Sequence, residues 1–310
     1  MKAGRFAQAL AVGIAALGLA GIGTMGQVVI GEIAWAGTAA SAQDEWIELR
    51  NVSDSEVDLT GWALQIGDGT IPLGEVAGAT LEVRRASIEP GGFFLLERTD
   101  DTTVSDVEAD LIYKGGLSNG GEDVLLIDAE EEVVDQVLAA EEGWPGGAGS
   151  DGVPSYASME RFDAASGDAD WGTNPGEEFA NGLDADGNPL NGTPRQENGT
   201  VRLAAVVPRV DVLAPAEGTV SGRVVVEWAA VDPDGDDAAL PVSVILSQNE
   251  TTSAEAPGET LVENLANTGS FVWDTTTFAD GTYYVFVLVR DADGYATTSR
   301  SGAIDVVNGG

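Results

Sequence analysis

The chain is expected to be all-β: two immunoglobulin-like β-sandwich domains in tandem after an N-terminal signal peptide. Three observations lead there. Short Val/Ile/Leu/Trp runs alternate in period two with polar residues, the pattern of strands with one buried face. The 41 glycines gather with Asn, Asp and Pro between those runs, where turns require them. Near the end, Asp280-Gly281-Thr282-Tyr283-Tyr284 places a tyrosine at the start of the penultimate run, as immunoglobulin-like sandwiches do.

Composition narrows the function. Hydrophobic residues make up 43% of 310, enough for about two cores. Formal charge is −38, from 52 acidic and 14 basic residues. Such a field repels phosphate backbones and anionic headgroups, so neither nucleic acid nor a membrane surface is expected as a partner. Cysteine and histidine are both absent, which excludes disulfides, common zinc sites and histidine-dependent nucleophiles. No cofactor is required.

Taken in order, residues 1–26 read as an export signal: Lys2 and Arg5 precede an uncharged Ala/Gly/Leu/Ile run with small residues at Gly18 and Ala20. Cleavage moves the formal charge to −40 and leaves no membrane segment. The first domain spans residues 27–198. Val28 to Trp35 is its first strand, and the stretch Asp44 to Gln65 organises the rest. There Ile47 and Leu49 alternate with Trp46, Glu48 and Arg50, and Trp62 and Leu64 with Ala63 and Gln65, giving one face in the core and one in water. Asn51 to Ser55 and Thr60-Gly61 break the runs. Further strands are expected at Thr80–Val83, Phe93–Arg98, Asp110–Tyr113, Val124–Asp128 and Val133–Val137. Ser118-Asn119-Gly120-Gly121 lacks the lysine and helix of a phosphate loop and reads as a hairpin turn.

In that order, Asp44-Glu45-Trp46-Ile47-Glu48-Leu49-Arg50-Asn51, Leu59-Thr60-Gly61-Trp62, Pro90-Gly91-Gly92-Phe93 and Leu117 to Glu122 resemble the lamin tail domain family. The resemblance runs on through Gly143-Trp144-Pro145, Ser158 to Arg161, Trp171 to Asn174 and Asn191-Gly192-Thr193-Pro194. It implies a rigid sandwich used as an interaction module in a secreted protein. Nuclear lamin tails bind chromatin partly through basic surface; the matching positions here are acidic or neutral, so that role is not carried over. The second domain, residues 205–310, has strands at Arg209–Leu213, Arg223–Ala230, Val242–Leu246, Gly269–Asp274 and Tyr284–Arg290. Its Asp232-Pro233-Asp234-Gly235-Asp236 and Asp280-Gly281-Thr282-Tyr283 elements resemble bacterial extracellular Ig-like and fibronectin-type modules.

Candidate sites are few. Asp44, Glu45, Glu48 and Glu32 could pair as glycosidase carboxylates, but a solvated strand edge is the expected reading, and no enzyme follows. Three acidic turns start at Asp184, Asp232 and Asp291; none has the bidentate glutamate of an EF-hand loop. If Arg223–Ala230 is strand B and Tyr284–Arg290 is strand F, the last two turns share one end of the sandwich. Asp232, Asp234, Asp236, Asp291 and Asp293 would then crowd where calcium could ease their repulsion. Trp144 and Trp171 fall in loops and could stack on sugars. Asn51, Asn191, Asn198 and Asn249 head N-glycosylation patterns. The expected role is extracellular adhesion or scaffolding through protein or polysaccharide contacts; a carboxylate hydrolase or an accessory domain of an extracellular nuclease is the alternative.

Overall fold

The computed structural model describes residues 27–74, 82–162, 171–251 and 258–309. The expected export signal at 1–26 lies outside the described residues, as does the start of the strand expected at Thr80–Val83.

In the first unit the described strands are β1 (Val28–Ala34), β2 (Trp46–Asn51), β3 (Val57–Asp58), β4 (Ala63–Ile66), β5 (Gly69–Pro72), β6 (Glu82–Val83), β7 (Ser87–Ile88), β8 (Phe93–Arg98), β9 (Leu111–Tyr113), β10 (Val124–Ile127), β11 (Val133–Val137), β12 (Met159–Arg161) and β13 (Trp171–Thr173). Seven of them form a sheet in the order β13-β12-β1-β2-β8-β9-β6, facing a four-stranded sheet β11-β10-β4-β5; β3 and β7 make a small separate pair. The period-two pattern sets the core between the layers. Ile47, Leu49, Phe94 and Leu96 point inward from the larger sheet and meet Leu64, Ile66, Val124 and Leu126 from the smaller. Each such side chain, fully buried, contributes about 1.5–3 kcal/mol.

One edge of the sandwich is closed by charge. β1 bulges between Ile30 and Glu32, at Gly31. The Ile30 amide donates to Asp135 on β11 at 2.7 Å. The same carboxylate oxygen pairs with the Arg161 guanidinium from β12. Arg161 also donates to the Ile30 carbonyl and lies 4.9 Å over the Trp171 ring. Asp135 thus ties both sheets together where no ladder joins them.

The outer face of the larger sheet departs from expectation. Trp46 and Glu48, expected in water, are 1% exposed each. They are covered by residues 100–109 and by a strap, residues 174–200, that returns across the sheet. Trp46 forms a second small core there with Ala34, Leu95, Val104 and Leu190. Ser118 to Gly121 also differs. It carries the chain from β9 in one sheet to β10 in the other, so it is a corner between layers and not a hairpin.

The strap ends in a short helix, α1 (Gly199–Ala204), and the second unit follows with β14 (Arg209–Ala214), β15 (Gly218–Val220), β16 (Arg223–Val231), β17 (Val242–Ser247), β18 (Glu259–Leu265), β19 (Ser270–Asp274), β20 (Gly281–Arg290), β21 (Ala296–Arg300) and β22 (Ile304–Val306). One sheet is β14-β16-β19; the other is β15-β22-β20-β17-β18, with β21 also on β20. Val226, Trp228, Trp273, Val285 and Val287 fill the core between them. The Tyr283 hydroxyl donates to the Ala279 carbonyl at 3.0 Å, the tyrosine corner that the position of this residue suggested. The fold is all-β, two immunoglobulin-like sandwiches in one chain.

Candidate functional site

The carboxylates of the organising stretch are not a solvated strand edge. Glu160, Glu32 and Glu48 stand directly opposite one another across β12, β1 and β2, and are 0%, 0% and 1% exposed. Among the described residues the strap supplies all but one of their hydrogen bonds, the exception being Ser158 beside β12. Glu32 accepts from the Thr193 amide at 2.8 Å, the Thr193 hydroxyl at 2.8 Å and the Ser158 hydroxyl. Glu160 accepts from Asn174 at 2.6 Å, the Thr193 hydroxyl at 2.9 Å and the Thr200 amide at 2.7 Å. Glu48 accepts from the Arg195 amide at 2.8 Å. Burial, then the charges of Glu160 and Glu48, hold the Glu32 carboxyl well above the usual carboxylate range. Burial pushes Glu48 up to about 8. Glu97, on the same outer face beneath residues 100–109, accepts from the Thr103 amide and is likewise pushed up by burial to about 8.

Neither Asp44 nor Glu45 joins the row. Asp44 is half-buried and accepts from the Thr38 hydroxyl at 3.2 Å. Glu45 is buried, ion-paired with Arg98 at 2.9 Å and bonded to the Leu117 amide. Converging carboxyl groups with raised pKa values would suit acid–base chemistry if a substrate could reach them. These are sealed under the strap. What the arrangement can do is hold protons and seat a loop.

At the second unit's acidic end, β16 and β20 fall in opposite sheets as strands B and F should, and the two turns meet. Asp232 has Asp234 and Asp291 as neighbours; burial, then those two groups, raise its pKa. The remaining carboxylates serve their own loops. Asp236 accepts from the Ala238 amide at 3.0 Å. Asp237 accepts from the Asp232 amide, and Asp291 from the Gly294 and Tyr295 amides. Asp293 is exposed at the tip of its turn. Among the described residues no three His, Cys, Asp or Glu side chains are placed to hold a metal ion. The Asp184 turn closes on itself through the Asp186 and Asn188 amides.

Both tryptophans expected in loops are built into the packing, and Trp171 is not in a loop but opens β13, paired with Arg161 of β12. Trp144 stacks on Trp35 with centroids 6.4 Å apart and an interplanar angle of 7°, and its indole N–H donates to the Ser118 carbonyl. Trp171 lies under Arg161. The asparagines divide similarly. Asn51 donates to the Ser55 and Ile88 carbonyls and Asn198 to those of Gly31 and Arg161, both from buried positions. Asn191 donates to the Ser155 carbonyl. Of the four, Asn249 is the exposed one. Sequence reasoning missed the buried roles because Asx turns and glycosylation patterns use the same residue.

Residues 23–140 match the Lamin Tail Domain family. This part of the chain is a lamin tail domain. The match ends before β12, so Glu160, one of the three carboxylates in the row, and the whole strap lie beyond the matched segment. The chain matches no curated protein. Among solved structures it is similar to the fibronectin(III)-like modules of Clostridium thermocellum CbhA, at 9% identity over 85% of each chain with a TM-score of 0.24. It is also similar to a 1.5-MDa bacterial ice-binding adhesin, at 13% identity over 91% of this chain and 97% of that one, with a TM-score of 0.23. Likenesses this weak say nothing about ligand or partner.

Proposed function

We propose that the chain is a secreted, non-catalytic adhesion or scaffolding protein acting through protein or polysaccharide contacts at the cell surface or matrix. One observation carries this reading: the disposition of charge. Glu32, Glu48 and Glu160, which could have converged for catalysis, lie inside the lamin tail unit, where the strap occupies them. Of the twelve basic residues after residue 26, seven are ion-paired among the described residues: Arg50, Arg84, Arg85, Arg98, Arg161, Arg195 and Arg300. The outward face is therefore dominated by unneutralised Asp and Glu, which suits solubility and basic or neutral partners and disfavours nucleic acid. The charged start and uncharged run of residues 1–26 support export.

The test is a pull-down from extracellular material together with a glycan panel, using the chain after export. Retention of a protein or glycan, with no turnover of glycosides or esters, is expected. Hydrolysis abolished by Glu48→Gln would replace this reading with the hydrolase. Tight, salt-sensitive DNA binding would replace it with the nuclease accessory.

A further inference from the structure

We propose that the strap of the lamin tail unit is a proton-held clasp: a proton shared between Glu32 and Glu160 through the Thr193 hydroxyl keeps residues 174–200 seated on the sheet, and alkaline pH unseats them. Counting donors leads there. The Thr193 oxygen lies 2.8 Å from one Glu32 oxygen and 2.9 Å from one Glu160 oxygen. A threonine hydroxyl has a single hydrogen, so it donates to one carboxyl and must accept from the other. The group it accepts from carries a proton.

The remaining bonds say which. Glu160 also receives the Asn174 amide and the Thr200 amide, so both of its oxygens take donors. On Glu32 the Ser158 hydroxyl and the Thr193 amide both reach the other oxygen, Oε1, leaving Oε2 facing Thr193 alone. The chain Glu32 Oε2–H to Thr193 Oγ–H to Glu160 Oε1 satisfies every atom.

The groups around the row reinforce the proton. Glu32 faces Glu160 from β12 and Glu48 from β2, both of which oppose its ionisation. Glu48 faces Asp110, against Arg195 and Arg50. Asp110 is itself paired with Arg85 and Arg195. If all three glutamates ionised, three like charges would stand directly opposite one another, about 5 Å apart at the Cβ atoms. The strap leaving the face is the way water reaches them. Because Thr193, Arg195 and Thr200 supply the bonds, the whole strap moves with the proton.

Limited proteolysis of the full chain from about pH 5 to about pH 9 tests this, with each rate normalised to an unfolded peptide of the strap sequence. Cleavage within 174–200 is expected to rise about tenfold per pH unit for each group protonated only in the seated state. Infrared spectra at neutral pH are expected to show the C=O band of a protonated carboxylic acid, lost as cleavage rises. Glu32→Gln, whose amide replaces the proton as donor to Thr193, is expected to keep the strap seated at the alkaline end. A cleavage rate independent of pH, or no protonated band at neutral pH, overturns the proposal. Should Glu32→Gln fail to fold, the wild-type cleavage and infrared profiles decide it.

Discussion

Asp135→Ala is expected to destabilise the lamin tail unit by about 3–5 kcal/mol, the usual cost of breaking a buried ion pair from one side. A domain of ordinary stability has about 5–15 kcal/mol in total, so the variant sits at or near the unfolding threshold. The reason is what remains. The Arg161 side chain is 1% exposed, and its Nη1 atom already has no hydrogen-bond partner among the described residues. Without Asp135 it has no ion-pair partner left among the described residues, and the Ile30 amide loses its acceptor at the bulge. Arg161→Ala leaves the Asp135 carboxylate partly served by Ile30, and its cost is expected to be smaller. The double variant should cost less than the two singles together, because it removes the charge that loses its partner. Urea unfolding of the three variants measures this, and single-variant losses within about 0.5 kcal/mol of zero would place the pair in solvent.

Trp46→Ala is expected to cost about 3–5 kcal/mol as well, through a cavity and not a charge. Trp46 is the largest member of the outer-face core, touching the layer formed by Ala34, Leu95, Val104 and Leu190. Gly192 in the strap sits so close that an added Cβ there would lie 2.7 Å from the indole. Losing the ring therefore unseats both residues 100–109 and the strap. The variant should show raised proteolysis in both segments beside its lower stability. Loss of stability without strap cleavage would mean that the strap is held by the carboxylates alone.

That outer face marks the limit of what the sequence allowed. The alternation of Ile47 and Leu49 with Trp46, Glu48 and Arg50 correctly assigned two faces, because period two is local and needs no partner. It could not tell whether the second face meets water. Its cover comes from the strap, where Arg195 reaches Glu48 from 147 residues downstream, in a segment with no periodicity to announce it. Glutamate reads as solvent-exposed by base rate, and only an independently placed strap reverses that. The tyrosine corner, by contrast, was legible because Tyr283 bonds four residues upstream. The acidic turns were half legible. The meeting of Asp232 and Asp291 follows from strand order, but whether Asp236 and Asp291 point at a shared ion or cap their own loops depends on side-chain geometry that composition does not encode.

Carboxyl groups buried inside the lamin tail unit, Glu48 and Glu97 among them, are expected to stay protonated near neutral pH. Their folded pKa values lie above the unfolded value, so the stability they contribute is fully present below the unfolded pKa, about 4.3, and is lost as pH rises through the folded one. For Glu48 and Glu97 that loss runs up to about 8. The chain has no histidine and no cysteine, so apart from the amino terminus no ordinary group titrates in this window. Calorimetric melting of the full chain between about pH 6 and about pH 8 is therefore the direct measurement. The expected result is a melting temperature that falls with pH, equivalent to about 1.4 kcal/mol per pH unit for each retained proton, and a fall reduced in Glu48→Gln. A melting temperature that is flat or rises across that window would contradict it.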